Sequence, residues 1–105
     1  MNIEQINEIL QNNDCVIVHF SSPHCGICHS LKPKFVDLKT EYKDLQVLEI
    51  DITTSMEITS YYSVFTAPTV IVFLYGRESG RFSRSFGIGQ ISKTIDRFYE
   101  ITKNS

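Results

Sequence analysis

Apolar residues recur at Ile3, Ile6, Ile9 and Leu10, a spacing that predicts a first helix over roughly residues 3–12, closed by Asn12-Asn13-Asp14. The next segment, Cys15 to Phe20, is almost continuously apolar and predicts a central strand rather than an exposed edge. His19 is its one strongly polar residue. After Ser21-Ser22-Pro23-His24, helical spacing returns in Ile27, Leu31, Phe35, Leu38 and Tyr42, so a helix to about residue 42 is expected, kinked by Pro33. Leu45 to Ile50 predicts a second strand, and Thr54 with Glu57 has capping-box spacing ahead of a short helix ending near Tyr62. Ala67-Pro68 interrupts the chain before a third strand, Thr69 to Tyr75. Gly76 to Gly80 predicts a turn into a fourth strand, Arg81 to Phe86, and Ile91, Ile95, Phe98 and Tyr99 form the inner stripe of a last helix.

The order α-β-α-β-α-β-β-α predicts an α/β sandwich with helices on both faces of the sheet. Right-handed crossovers would pair the first strands in parallel, and the Gly-rich turn would add an antiparallel hairpin. With 105 residues, 42% of them hydrophobic, the chain has material for one cored domain spanning residues 1–105 and no room for a second. Ten basic against twelve acidic residues, with no block of like charge, give no reason to expect nucleic acid or a membrane as partner. No apolar run approaches the ~20 residues that span a bilayer, and Met1-Asn-Ile-Glu-Gln-Ile-Asn-Glu8 has no basic segment followed by an apolar one. Three cysteines, an odd count, do not look like a disulfide-stapled secreted framework, so a reducing, cytoplasmic setting is expected.

The candidate chemistry lies in Cys25-Gly26-Ile27-Cys28, placed where the strand pattern gives way to the helical one. Residues three apart on a helix lie about 5–6 Å apart at Cβ, near enough for modest adjustment to form a disulfide. Cys25 would sit beside the unpaired amides and the positive dipole end, and Cys28 one turn inside, which makes Cys25 the expected nucleophile. A helix N-terminus favours an anion by up to ~2 kcal/mol, enough to bring a thiol pKa down from near 8.5 by roughly 1.5.

From its first helix to its last the chain resembles the thioredoxin family. Phe20 to Cys28 resembles that family's strand-to-active-site segment, Pro33 its kink proline, and Asp51 the acidic residue closing the next strand. Tyr62 to Thr69 resembles the stretch ending in its cis-proline motif. The resemblance implies a thioredoxin-like α/β/α sandwich with a mixed sheet of about four strands, the family's first strand being absent. It also implies a protein-disulfide reductase acting in electron transport and cell redox homeostasis, with Cys25 and Cys28 as a redox-active disulfide. A separate thioredoxin-reductase-like enzyme would recycle a monomeric chain that needs no cofactor. Pro68 would be the cis-proline facing the dithiol, with Ala67, Gly26, Ile27 and Gly87 completing the substrate-binding surface.

Three positions depart from the family pattern. Ile27 stands in place of the proline between the cysteines, which bears on the redox potential. His24 replaces a tryptophan and either supports the Cys25 thiolate or is an exposed loop residue. His19 stands where thioredoxins carry a buried aspartate and disulfide isomerases a glutamate, moving protons to or from the inner cysteine. A histidine titrates nearer neutrality and is expected to accept the Cys28 proton, against the plainer reading of a core histidine satisfied by the backbone.

Other readings are weaker. Cys15 is expected to be a small buried hydrophobe rather than a third redox-active or dimerising thiol. Tyr61 and Tyr62, beside Met56 and Ile58, are expected in the core rather than on a substrate surface. Cys25 to His29 fits the C-x-x-C-H pattern of haem attachment, but such attachment normally needs export. His24, Cys25, Cys28 and His29 offer zinc or iron–sulfur ligands, though adjacent His-Cys pairs close poorly around one ion. A non-redox protein-binding module is the remaining alternative.

Overall fold

The computed structural model describes residues 1–83 and 86–103. Its elements follow the order α1 (Ile3–Asn12), β1 (Cys15–Ser21), α2 (Gly26–Glu41), β2 (Leu45–Asp51), α3 (Met56–Tyr61), β3 (Thr69–Leu74), β4 (Arg77–Ser83) and α4 (Ile88–Lys103). The strands form one mixed sheet in the order β2-β1-β3-β4. β1 is therefore central, as its apolar run predicts, and Cys15, Val16, Ile17, Val18, His19 and Phe20 are all fully buried.

Period-two alternation sends β1 side chains to two separate cores. Cys15 and Ile17 join Leu31, Phe35 and Leu38 of α2 and Ile91 and Ile95 of α4. Val16, Val18 and Phe20 join Ile6 and Leu10 of α1 and Ile58 of α3 on the other face. The result is the expected three-layer α/β/α sandwich. At the end of the sheet away from the cysteine pair, the Tyr42 hydroxyl donates to Asp96 and its ring stacks on Tyr99, tying the end of α2 to α4.

Several expectations are corrected. Parallel pairing among the first strands holds only for β1 with β2, because β3 runs antiparallel to β1. α3 has six residues, a rise of about 9 Å, whereas a seven-residue strand spans about 23 Å. A helix this short covers less than half of the return to the far end of the sheet, and β3 starts where β2 stops. The capping box at Thr54 and Glu57 does not form; Ser55 is the N-cap of α3 and makes no side-chain capping bond. A complete capping box instead opens α1, between Asn2 and Gln5, as glutamine can serve in place of glutamate.

The hairpin turn is also tighter than predicted. Leu74 pairs with Arg77, which leaves Tyr75 and Gly76 as a two-residue loop, both at positive φ as a type I′ turn requires. Most of the segment Gly76 to Gly80 is thus strand, an exposed edge whose polar residues conceal it. β4 ends at Ser83; Arg84 and Ser85, expected in that strand, lie outside the described residues. Ile27 and Tyr61, expected in helical core stripes, are 58% and 59% exposed. Cys28, three residues before Leu31, takes the inward position at the head of the stripe 31, 35, 38 and 42, while Ile27, four before it in the first turn, is exposed.

Candidate active site

The site hangs from one end of the sheet. β1 delivers its C-terminal end there, and the antiparallel β3 begins beside it, with Phe20 opposite Thr69 and Thr69 opposite Ser83 of β4. The loop into α2, the Ala67-Pro68 segment and the last residue of β4, Ser83, therefore share that end.

A turn closed by the Cys25 amide on the Ser22 carbonyl at 3.2 Å brings the chain into α2. Cys25 is the N-cap, in extended conformation, and its sulfur accepts the Cys28 amide hydrogen at 3.2 Å. Cys25 and Cys28 are joined as a disulfide with Cα atoms 5.2 Å apart. The two sulfurs are unequal in access. Cys25 is half-buried at the surface, whereas Cys28 is fully buried on the inner stripe of α2. Of the residues between them, a Cβ on Gly26 would meet nothing within 4 Å, and Ile27 points outward.

The Ala67–Pro68 peptide is cis, immediately before Thr69 opens β3. Thr69 Oγ1 donates to the Thr66 carbonyl at 2.7 Å and holds this loop closed. Gly87 precedes α4, its amide donating to Gln90 Oε1 at 3.2 Å. Phe65, 81% exposed, lines a cavity of about 440 Å³ with Val64, Thr66, Thr69 and Arg81. No sequence signal separates this phenylalanine from a core one. His24 is exposed. Cys15 lies fully buried at the opposite end of β1, where burial and the nearby Asp14 and Asp44 carboxylates push its thiol up to about 11.

His19 is fully buried beneath α2, its ring centroid 4.9 Å from that of Phe35. It is not satisfied by the backbone. Its Nδ1 lies 3.1 Å from Oε1 and 2.9 Å from Oε2 of Glu49, the residue directly opposite it on β2. Sequence reasoning passed over Glu49 because only the parallel register brings it to His19. The Glu49 side chain is 40% exposed and lines a cavity of about 230 Å³ with Ser21, Pro23, His29, Lys32 and Asp51. Hydrogen bonds from the Thr53 hydroxyl and amide hold the Asp51 carboxyl below its ordinary value. Among the described residues, no group of three or more His, Cys, Asp or Glu side chains is arranged to hold a metal ion, and no helix is long and apolar enough to cross a membrane.

Two sulfurs that exchange a covalent bond, one reachable from outside and one shielded, are what thiol–disulfide exchange requires. On a mixed α/β sheet of this topology they define a thiol–disulfide oxidoreductase of thioredoxin-like fold. The family model described as Thioredoxin matches residues 2–97, and the chain belongs to the thioredoxin family. It is 30% identical over 96 residues to a thioredoxin of Mycoplasma genitalium, covering 91% of each chain. It is 33% identical over 80 residues to a thioredoxin of Mycoplasmoides gallisepticum, covering 76% of this chain and 80% of that one. The solved structure of thioredoxin 1 from Thermosipho africanus superposes with a TM-score of 0.78 at 31% identity, covering 84% of this chain and 98% of that one.

Proposed function

We propose that the chain reduces protein disulfides by dithiol–disulfide exchange. The Cys25 thiolate attacks a substrate disulfide and forms a mixed disulfide, releasing one substrate sulfur as a thiolate that takes up a proton. Cys28 then loses its proton and attacks the Cys25 sulfur, forming the intramolecular disulfide and releasing the second substrate sulfur. Two electrons pass from the dithiol to the substrate.

The observation that carries this reading is the unequal pair. Cys25 occupies the helix N-cap, within reach of amide hydrogens that favour its anion, while Cys28 is fully buried and protected from outside oxidants. His19 accepts the Cys28 proton; it lies on the sheet face that α2 covers, toward the end where the cysteines sit. Ala67 and Pro68, with the bare surface at Gly26, the exposed Ile27 and Gly87, form the face on which an extended substrate segment docks by its backbone. A separate reductase of the thioredoxin-reductase type returns the dithiol, and a monomeric single domain in the cytoplasm is the working form.

The test is a turnover assay with a protein disulfide and an external dithiol as reductant. Cys25→Ser should abolish turnover, and Cys28→Ser should accumulate mixed disulfides; continued turnover by the Cys25 variant would end this mechanism. Equilibration against a defined dithiol buffer then fixes direction. A potential near or below about −270 mV fits a reductant, whereas one nearer −180 mV makes the chain an oxidant or isomerase instead.

A further inference from the structure

The mechanism above uses His19 but leaves Glu49 without a role. Both Glu49 oxygens face one ring nitrogen, Nδ1, at 3.1 and 2.9 Å. An ionised carboxylate can only accept, so the hydrogen in this contact belongs to Nδ1. In the neutral ring that leaves Nε2 without a hydrogen and with its lone pair free. Nε2 is buried and has no hydrogen-bond partner among the described residues. An unmet acceptor in a core is costly and calls for an explanation. The structure holds the cysteines as a disulfide, the state in which Cys28 has no proton to give. Reduction adds one sulfur-bound hydrogen at a buried position on the same α2 stripe that covers His19.

We propose that Glu49 is the positioning residue of the resolving step, fixing His19 as the tautomer protonated at Nδ1 so that Nε2 is the base that takes the Cys28 proton. This rests on the reading of His19 as proton acceptor. In the step, the sulfur–hydrogen bond of Cys28 breaks as a nitrogen–hydrogen bond forms at Nε2. The thiolate so formed attacks Cys25, and the substrate sulfur leaves with the electron pair of the broken disulfide. The imidazolium left behind is paired at once with the Glu49 carboxylate, which is 40% exposed and opens onto the cavity of Ser21, Pro23, His29, Lys32 and Asp51. One member of the pair is thus in the core and the other in water, which gives the proton an exit.

Among the described residues, the charged and titratable groups that share the cavity of this pair are His29 and Lys32 of α2 and Asp51 of β2. Phe35 of α2 and Val70 of β3, which pairs with His19, are apolar, as are Ile91 and Ile95 on the α4 face. Among the described residues, Glu49 is the ionisable group in hydrogen-bond contact with the ring.

The experiment mixes reduced protein with a chromogenic aromatic disulfide that releases 5-thio-2-nitrobenzoate. The first release reports Cys25 attack, and the second reports resolution by Cys28. Glu49→Leu should slow the second release roughly tenfold at neutral pH and flatten its pH profile. Glu49→Gln, whose carbonyl still accepts from Nδ1, should lose less. His19→Ala combined with Glu49→Leu should be no slower than His19→Ala alone. Nitrogen chemical shifts in the reduced wild-type protein should show neutral His19 protonated at Nδ1, a measurement that needs no variant to fold. A neutral ring protonated at Nε2, or a Glu49→Leu protein that resolves at the wild-type rate while His19→Ala is slow, overturns the role of Glu49 alone. An unchanged second release in His19→Ala overturns the proton-acceptor reading and this proposal with it.

Discussion

Alkylating the fully reduced protein should divide its three thiols one against two. Cys15 is fully buried as the first residue of β1, and burial together with Asp14 and Asp44 pushes its thiol pKa from 9.0 to about 11. At pH 7 the thiolate, the reactive form, is then roughly one part in ten thousand, against about one in a hundred for an unperturbed thiol of this type. Reaction should be at least about a hundredfold slower from ionisation alone, and slower still because the reagent must wait for local opening. The assay is a quenched time course with iodoacetamide read by mass spectrometry, with and without denaturant. One adduct, at half-buried Cys25, should form rapidly and those at fully buried Cys28 and Cys15 late, with all three rapid once the chain is unfolded. The sign in stability follows from the same shift. Because the folded pKa is raised, the contribution is complete below pH 9 and falls as pH rises toward 11, by about 3 kcal/mol in all. Cys15→Val should remove that share of the alkaline loss. A native-state adduct at Cys15 as fast as that at Cys25 would refute the inert reading and make Cys15 a third redox thiol.

Three further outcomes test the local structure. Asn2→Ala breaks the capping box that opens α1 and should cost about 1 kcal/mol in urea unfolding; a change within error would mean that α1 is held by packing alone. Gly76 sits at φ 77 in the hairpin turn, and an added Cβ would come only within 3.6 Å of the Leu10 carbonyl, so Gly76→Ala should cost about 1–2 kcal/mol through backbone conformation. Gly76→Asn should cost less, and equal losses for the two would place the penalty in contact instead. Thr53→Val removes one of the two bonds that depress Asp51, so its carboxyl, titrated by NMR, should move up toward 3.8; since the folded value is depressed, the stability this group contributes is lost on acidification.

Much of this arrangement is legible in the residues because it depends on strong local signals. The apolar run of β1 and the three-four stripe of α2 leave little choice of burial, and Cys25 at their junction becomes the helix N-cap. What is hidden depends on pairing across the chain or on short elements. The direction of β3 goes with the shortness of α3 and leaves no mark in Thr69 to Leu74. β4 escapes the alternation rule because Arg77, Glu78 and Ser79 lie exposed along an edge, where polarity imitates a turn. Glu49 is an ordinary polar residue of β2 until the register sets it opposite His19, and Asn2 is an ordinary terminal residue until Gln5 answers it.

The two residues between the cysteines have a further consequence, for engineering and for divergence. Gly26 has open space where a side chain would be, and Ile27 projects into solvent, so neither is required by the packing beneath. The dipeptide is thus a replaceable cartridge in a fixed housing. New pairs of residues can be installed there, and the potential and partner preference retuned, with the core left unaltered. Variation in chemistry and persistence of the fold are thereby uncoupled in this chain, and a library confined to positions 26 and 27 would explore one with little effect on the other.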